Sequence, residues 1–356
     1  MIAACILLAC LLCMPAMAAL PDGNRMEQLG ERAAYTAMDQ LQFAKGDADV
    51  MVLTNAGRAV VDGQTTERAL SGITKISGLQ NGDNTLWTVN RADWKPLWFY
   101  FYDKDTGKGL YLVPDTAIYT MSDAQLGTVT YADTFSTNKQ VTGDLYQMLA
   151  DTRIGNETEK ALGGEAFSII SITNAWAHGA PYDLMSAAML HNHLCPGILG
   201  GYLPIKYAEK VLPITNSSSS YLYVTTSTSC KEDAFPILWD MTPAKGGAVV
   251  ASSLSANETA ALKAKYGANP TMIIVRWDSR AKSGTGIVLG SVAQNSTEPY
   301  TGPDWGAKPY RVVKAMDTIS QPELSVKTLR TFSVDPNIYS ELRNSTNNPY
   351  KMIGDL

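Results

Sequence analysis

Apolar positions along this chain change period in a fixed order, and that order occurs twice. From Leu29-Gly30, apolar residues recur at helical spacing through Tyr35, Met38 and Leu41, which predicts an amphipathic helix. The run Val50-Met51-Val52-Leu53-Thr54 then predicts a short strand, being rich in residues that suit a pleated, half-buried surface. Thr65-Thr66-Glu67-Arg68-Ala69-Leu70 reads as the start of a second helix. Lys95-Pro96 leads into a strand over residues 97–102 and a hairpin through Gly107-Lys108-Gly109-Leu110, the turn glycines lying between apolar runs. At an offset of roughly 170 residues the order returns. Leu199-Gly200 opens a helix through Tyr207 and Val211, Tyr221-Leu222-Tyr223-Val224-Thr225 predicts a strand, and Cys230-Lys231-Glu232-Asp233-Ala234-Phe235 predicts a helix start. Asn269-Pro270 then leads into a strand over residues 271–277 and a hairpin at Gly284-Thr285-Gly286-Ile287.

Helix, strand, helix, strand and hairpin, repeated, predict an α+β fold of two related helix-over-sheet units from an internal duplication. The units are expected over residues 19–150 and 151–320, followed by an extension over 321–356. Residues 115–164 join them with weak periodicity and much Thr, Asp and Gly. The tail after Ser320, with its Pro, Asn and Ser, is expected to wrap the surface. Ahead of the units, residues 2–19 are apolar and uncharged and contain Ala16-Met17-Ala18. Small residues at that spacing mark residues 1–18 as a signal peptide, which predicts a secreted or cell-surface protein. Only an uncleaved segment would tie the chain to a membrane. The sequons at Asn156, Asn216, Asn257, Asn295 and Asn344 agree with an exported chain.

Hydrophobic residues make up 45% of the chain and charged residues 18%, which is the composition of a folded protein with ordinary cores. Net charge is −5, with no basic cluster. That argues against nucleic acid or an anionic membrane as the main partner and favours a metal or small molecule. Cys5, Cys10 and Cys13 would leave with the signal, so Cys195 and Cys230 remain. Two thiols are too few for a disulfide framework but enough for one bridge.

The chemistry concentrates in His191-Asn192-His193-Leu194-Cys195-Pro196-Gly197, which holds two of the three histidines and one of those two thiols. Soft nitrogen and sulfur donors so close suit a transition metal or a reactive thiol. Residues 182–190 carry no breaker and predict a helix that starts after Pro181 and closes at His191. Pro196 suits the first position of the next helix. Cys195 then stands at an N-cap, where backbone N–H groups and the helix dipole favour a thiolate. Cys230 precedes acids suited to a first helical turn, with Thr65 at the corresponding cap of the first unit. The His-x-His-x-Cys spacing demands an irregular turn. Such a turn can aim His191 or His193, with Cys195, at a divalent metal, with Cys230 as the third ligand and water or substrate in the fourth place. The other histidine would then orient a ligand or move a proton. Three alternatives stand beside this. A Cys195–Cys230 disulfide would leave the histidines as bystanders, the histidines would serve only as helix caps, or Cys195 is a nucleophile with His193 as acid or base. His178 reads as a loop or core residue. Lys245-Gly246-Gly247 lacks the full spacing of a phosphate-cradling loop.

The stretch His191 to Gly200 resembles the His-Gly-His-x-Cys-Pro-Gly motif of the formylmethanofuran dehydrogenase FmdE family. That family's second motif, Cys-x-x-Asp-Ala followed by Gly-Cys-Thr-x-Gly-Lys-Gly, is similar to Cys230, Asp233, Ala234, Thr242, Lys245 and Gly246. Asn192 stands at a motif glycine, Asp240 and Met241 at Gly-Cys, and Ala244 at a later glycine. The resemblance covers roughly residues 182–290. It implies an α+β domain, commonly paired into homodimers, whose cavity holds a metal, often zinc, on His191, His193, Cys195 and Cys230. It also implies ligand-contacting or supporting roles for Asp233 and Lys245. Methanofuran chemistry belongs to the cytoplasm, which sits poorly with an export signal. The leading expectation is therefore an exported binder of a transition metal, zinc first, or of a metal-bearing small ligand. A metal- or thiol-dependent enzyme related to formylmethanofuran metabolism and a disulfide-stapled surface glycoprotein are the alternatives.

Overall fold

The computed structural model describes residues 25–292 and 300–356. The expected signal peptide over residues 1–18 and the sequon at Asn295 lie outside the described residues. Two five-stranded sheets dominate the fold. The first uses β1 (Val50–Thr54), β4 (Leu86–Thr88), β5 (Phe99–Asp103), β6 (Lys108–Pro114) and β7 (Phe135–Thr142), while β2 (Val60–Val61) and β3 (Gln64–Thr65) form a separate two-stranded ribbon. The second uses β8 (Ser219–Thr225), β9 (Ala248–Val250), β10 (Pro270–Asp278), β11 (Ser283–Ser291) and β12 (Val326–Val334).

The strand orders are the same: β4-β1-β5-β6-β7 in one sheet and β9-β8-β10-β11-β12 in the other. Each sheet has a single parallel pair, β1 with β4 and β8 with β9, and is otherwise antiparallel. The equivalence extends to a turn. Asp103 ends β5, and its Oδ1 accepts hydrogen bonds from the backbone N–H groups of Asp105 (2.9 Å) and Thr106 (3.3 Å). Asp278 ends β10 and does the same for Arg280 and Ala281, both at 2.9 Å. Four residues after each aspartate the backbone turns left-handed, at Gly107 (φ +68°) and Lys282 (φ +49°).

A helix crossing also recurs. The first unit lays the helix Arg25–Leu41 over the helix Arg68–Ser77, and the second lays Pro196–Val211 over a 3-10 turn, Cys230–Asp233, that runs on into the short helix Ala234–Leu238. A Cβ on Gly30 would stand 2.0 Å from the Ala69 carbonyl oxygen, and one on Gly201 would stand 2.1 Å from that of Lys231. These backbones touch only because no side chain intervenes. The glycine corresponding to Gly30 is therefore Gly201 rather than Gly200, which meets only the Lys231 side chain at 3.9 Å. Thr65 is not the counterpart of Cys230. It pairs with Val60 in the ribbon, and Glu67 stands at the cap of the Arg68–Ser77 helix. Aligned on the crossings, the residue facing Cys230 is Arg68, which forms an ion pair with Glu27.

Both sheets are buried on both faces, so their central strands read as continuous apolar runs rather than alternating ones. Val50 and Val52 of β1 join a core beneath the helices Arg25–Leu41 and Arg68–Ser77. Met51 and Leu53 turn the other way, into the largest core. That core also takes Tyr223, Met272 and Ile274 of the second sheet and the buried residues of three helices, Ala166–Ala177, Tyr182–His191 and Pro196–Val211. Leu222, Val224, Ile273 and Val275 face a third core closed by the tail. The tail thus does more than wrap the surface: it supplies edge strand β12 and buries Tyr350 and Ile353. Among the described residues, no helix is long and apolar enough to cross a membrane.

Candidate metal centre

The helix Tyr182–His191 follows Pro181 in extended conformation and buries Leu184, Met185, Ala187 and Ala188. It stops at Asn192, whose φ of +61° reverses the chain. Asparagine accepts this left-handed conformation better than most residues with a side chain. Three residues on, Cys195 is extended (φ −137°, ψ 166°) at the N-cap of Pro196–Val211, with proline in the first turn. The irregular turn demanded by the His-x-His-x-Cys spacing is this αL stop followed by an extended cap. The helix Ala166–Ala177 straps it down. Ser168 Oγ donates to the Asn192 carbonyl, and the Leu194 N–H donates to Ser171 Oγ at 3.0 Å.

Cys230 arrives from the second crossing. Its turn is capped by Ser229, in a reciprocal box with Glu232, so Cys230 occupies the first helical position rather than the cap. Glu232 also accepts from the Tyr223 hydroxyl at 2.7 Å and pairs with Lys231 at 2.9 Å, which fixes the turn from three sides.

One donor atom from each of His191, His193, Cys195 and Cys230 lies within 4.8 Å of the other three. His191 Nε2 is 4.0 Å from Cys195 Sγ, while its Nδ1 is 2.7 Å from Asp233 Oδ2. A carboxylate behind an imidazole fixes the tautomer, leaving the Nε2 lone pair facing the sulfur. The His193 ring stands 4.1 Å from that of His191 and 5.0 Å, edge to face, from Phe167. Both cysteines are free thiols, and no bridge joins them. Gly197 makes the approach possible, since a Cβ there would come within 2.6 Å of Cys230 Cβ and 3.3 Å of Cys195 Sγ.

Burial, then the neighbouring His191 and the cations Arg91 and Lys308, lower the His193 pKa to about 4. Its imidazole is neutral at ordinary pH and keeps a lone pair for a ligand role. Cys195 departs from expectation. The Ile198 and Gly197 backbone N–H groups do pull its pKa down, as a helix start should. Burial acts harder in the other direction and Cys230 adds to it, so the thiol is raised rather than lowered. A thiolate here needs a cation beside it, which weakens the nucleophile reading of Cys195 with His193 and suits a metal.

All four expected donors meet, where the spacing argument asked for three and an open position. Asp233 also joins, through His191. Lys245 does not: it pairs with Asp240 and lines a separate hollow whose walls include none of the four donors. His178 closes the helix Ala166–Ala177, with Nδ1 2.8 Å from the Asn174 carbonyl oxygen. Phe167, Ser168 and Ser171 escape a reading of the sequence. Their helix is buried on nearly every side and shows no amphipathic period.

Residues 190–287 match the FmdE family model, described as "FmdE, Molybdenum formylmethanofuran dehydrogenase operon". Over this span the chain is similar to FmdE domains. A search of curated proteins finds no match to the chain. The FmdE span holds all four donors and Asp233 and ends inside β11, leaving the first unit outside. Two of the three departures from motif glycine, all but Ala244, now have a reason. Asn192 (φ +61°) and Asp240 (φ +55°) are both left-handed, where glycine is at ease and Asn or Asp is the least costly replacement. Met241, at the position of the family's second thiol, is buried in the main core.

Proposed function

We propose that this FmdE-domain protein binds one divalent transition metal, zinc first, on His191, His193, Cys195 and Cys230. The observation that carries the reading is the convergence of four soft donors within 4.8 Å, from two helix starts and one helix end. Two imidazoles and two thiols suit a tetrahedral ion of intermediate softness, the preference of zinc. The neutral His193, the Asp233 carboxylate behind His191 and the side-chain-free Gly197 each fit that use. When bound, the cation supplies the positive charge that favours a thiolate on the buried Cys195, beside the half-buried Cys230. A full set of four protein donors favours holding the metal over activating water on it, since reactive zinc sites keep a position open.

The same reading places the mature protein outside the cytoplasm, supported by the apolar residues 2–19 and the Ala16-Met17-Ala18 pattern. It also derives both units from one ancestor, supported by matching strand order, the paired aspartate turns and the glycine crossings. The test is metal content. Protein purified without oxygen should carry stoichiometric zinc, lost from Cys195→Ser and Cys230→Ser and kept by Arg68→Ala in the first unit. Absence of stoichiometric Zn, Fe, Co, Ni and Cu from the unaltered protein defeats the reading.

A further inference from the structure

The first unit carries none of the four donors, yet it holds the chain that delivers them. Strand β4 runs on past Thr88: the Val89 N–H donates to the Thr54 carbonyl at 2.9 Å, so Asn90 and Arg91 leave from the end of the parallel pair β1 and β4. The Asn90 N–H then donates to the Met189 carbonyl at 2.9 Å. Met189 lies in the last turn of the helix Tyr182–His191, where carbonyls have no partner within the helix. The first unit thus supplies a donor to the helix end from which His191 reaches the cluster.

Arg91 ties down the neighbouring helix. Its guanidinium forms an ion pair with Glu165, both side chains being largely shielded from solvent. Glu165 directly precedes the helix Ala166–Ala177, which sets the Phe167 ring against His193 and supplies the Ser168 and Ser171 hydroxyls that strap the turn. Arg91 also lies close enough to His193 to act on it electrostatically. Two further contacts grip the same pair of helices. The Trp87 ring stands 4.7 Å from that of Tyr182, and Trp176 Nε1 donates to the Asn84 carbonyl at 2.8 Å.

The second unit sends its matching strand end elsewhere. Strand β9 runs on in the same way, with the Ala251 N–H donating to the Thr225 carbonyl at 2.7 Å, but the next N–H, of Ser252, donates to the Ser345 carbonyl of the tail at 3.2 Å. One strand end therefore supports the metal helix, while its counterpart supports the tail.

We propose that the first unit is part of the metal centre, with Asn90 closing the helix that presents His191 and Arg91 acting as a positioning residue for His193 through Glu165 and the strap helix. The inference rests on the metal reading above. Donors must be held to within about 0.5 Å by the residues behind them, and here part of that support comes from outside the span that matches the FmdE model. Exchange of two thiol protons for a divalent cation leaves the net charge of the site unchanged. The charge of Arg91 is therefore nearly indifferent to loading, and its effect is one of placement.

The test is cobalt substitution and chelator competition on the full chain, because the visible bands of Co²⁺ report its coordination geometry. Arg91→Ala should weaken zinc and cobalt about 10–100-fold and alter the cobalt bands. Glu165→Gln breaks the same pair from the other side more gently; it should act in the same direction, and it decides the matter if Arg91→Ala does not fold. Arg68→Ala, which removes an ion pair within the first unit, should match the unaltered protein in both readouts. Unchanged affinity in the folded variants would overturn the inference, and so would weaker binding with unchanged cobalt bands, which mere loss of stability would give. If the unaltered protein binds no cobalt, the metal reading falls and this inference with it, whereas binding that survives both substitutions sinks the inference alone.

Discussion

The two units have nearly the same framework and differ in what stands at the helix crossing. Each builds a sheet of one order and sense, turns its long hairpin on an aspartate, and crosses two helices through a glycine with no room for a side chain. In the first unit the crossing is flanked by an ion pair, Arg68 with Glu27, on the outside of the molecule. In the second unit the place of Arg68 is taken by Cys230, and the chain before the long helix brings His191, His193 and Cys195 to meet it. One framework therefore serves two ends. An exposed ion pair contributes little, typically under about 1 kcal/mol, so the first crossing depends on backbone contact and packing. The second holds four donors that would gain much more from a cation than from each other.

Removing the room at each crossing should separate packing from chemistry, with the largest effects. Gly30→Ala and Gly201→Ala both drive a Cβ into a backbone carbonyl, and each should cost about 1–3 kcal/mol, as overpacked sites do. Urea denaturation measures that directly. Gly197→Ala should add a loss the other two lack, because its Cβ meets Cys230 itself. Metal content after purification should fall sharply in Gly197→Ala and persist in Gly30→Ala. Equal metal content in all three proteins would mean that the donors tolerate displacement, and the contrast between the crossings would lose its basis.

The extent to which the sequence discloses this contrast depends on how local each signal is. The strands β1, β5, β8 and β10 are compact apolar runs, legible because β1 and β5 are buried throughout and β8 and β10 each bury a run of four residues. The turn from His191 to Cys195 is equally local, set by Pro196 and by a residue that accepts positive φ. Strand β7 is a polar edge, Phe-Ser-Thr-Asn-Lys-Gln-Val-Thr, and its place is fixed by pairing to β6 rather than by its own composition. Thr65 misleads because a Thr-rich stretch before a helix looks like a cap, while the ribbon pairing with Val60 is not written in it. Lys245 stands within the second motif in sequence, yet after the reversal at Asp240 it lines a different hollow. The supports from Ser168 and Ser171 depend on the docking of a distant helix, which no local pattern specifies.

A smaller effect should come from the carboxylate that separates a metal centre from a mere cluster of donors. Asp233 touches His191 and none of the thiols in the hydrogen bonds it forms. Asp233→Asn keeps the size and one acceptor but removes the charge. Metal affinity, measured by chelator competition, should fall about 10–100-fold, the usual cost of losing a partner behind a ligand histidine. Melting of the metal-free protein should barely move, since the Asp233 side chain is 46% exposed. Unchanged affinity would remove His191 from the donor set and leave three candidates.

The smallest expected effect concerns Asn192, where the FmdE motif carries glycine. Its φ of +61° is a backbone demand, and its carbonyl accepts from Ser168 whatever the side chain. Asn192→Gly should therefore keep the strap and relieve left-handed strain, with stability changing by no more than about 1 kcal/mol. Asn192→Val, branched at a left-handed position, should instead cost about 1–2 kcal/mol. The side chain has one other contact, Oδ1 at 3.4 Å from His193 Nδ1, which is long for a hydrogen bond. If backbone conformation is all that matters, Asn192→Gly retains metal as well as the unaltered protein while Asn192→Val loses stability first and metal second. Metal loss in Asn192→Gly without loss of stability would assign the Asn192 amide a part in aiming His193, and the second unit would then owe its chemistry to a residue that departs from the FmdE motif.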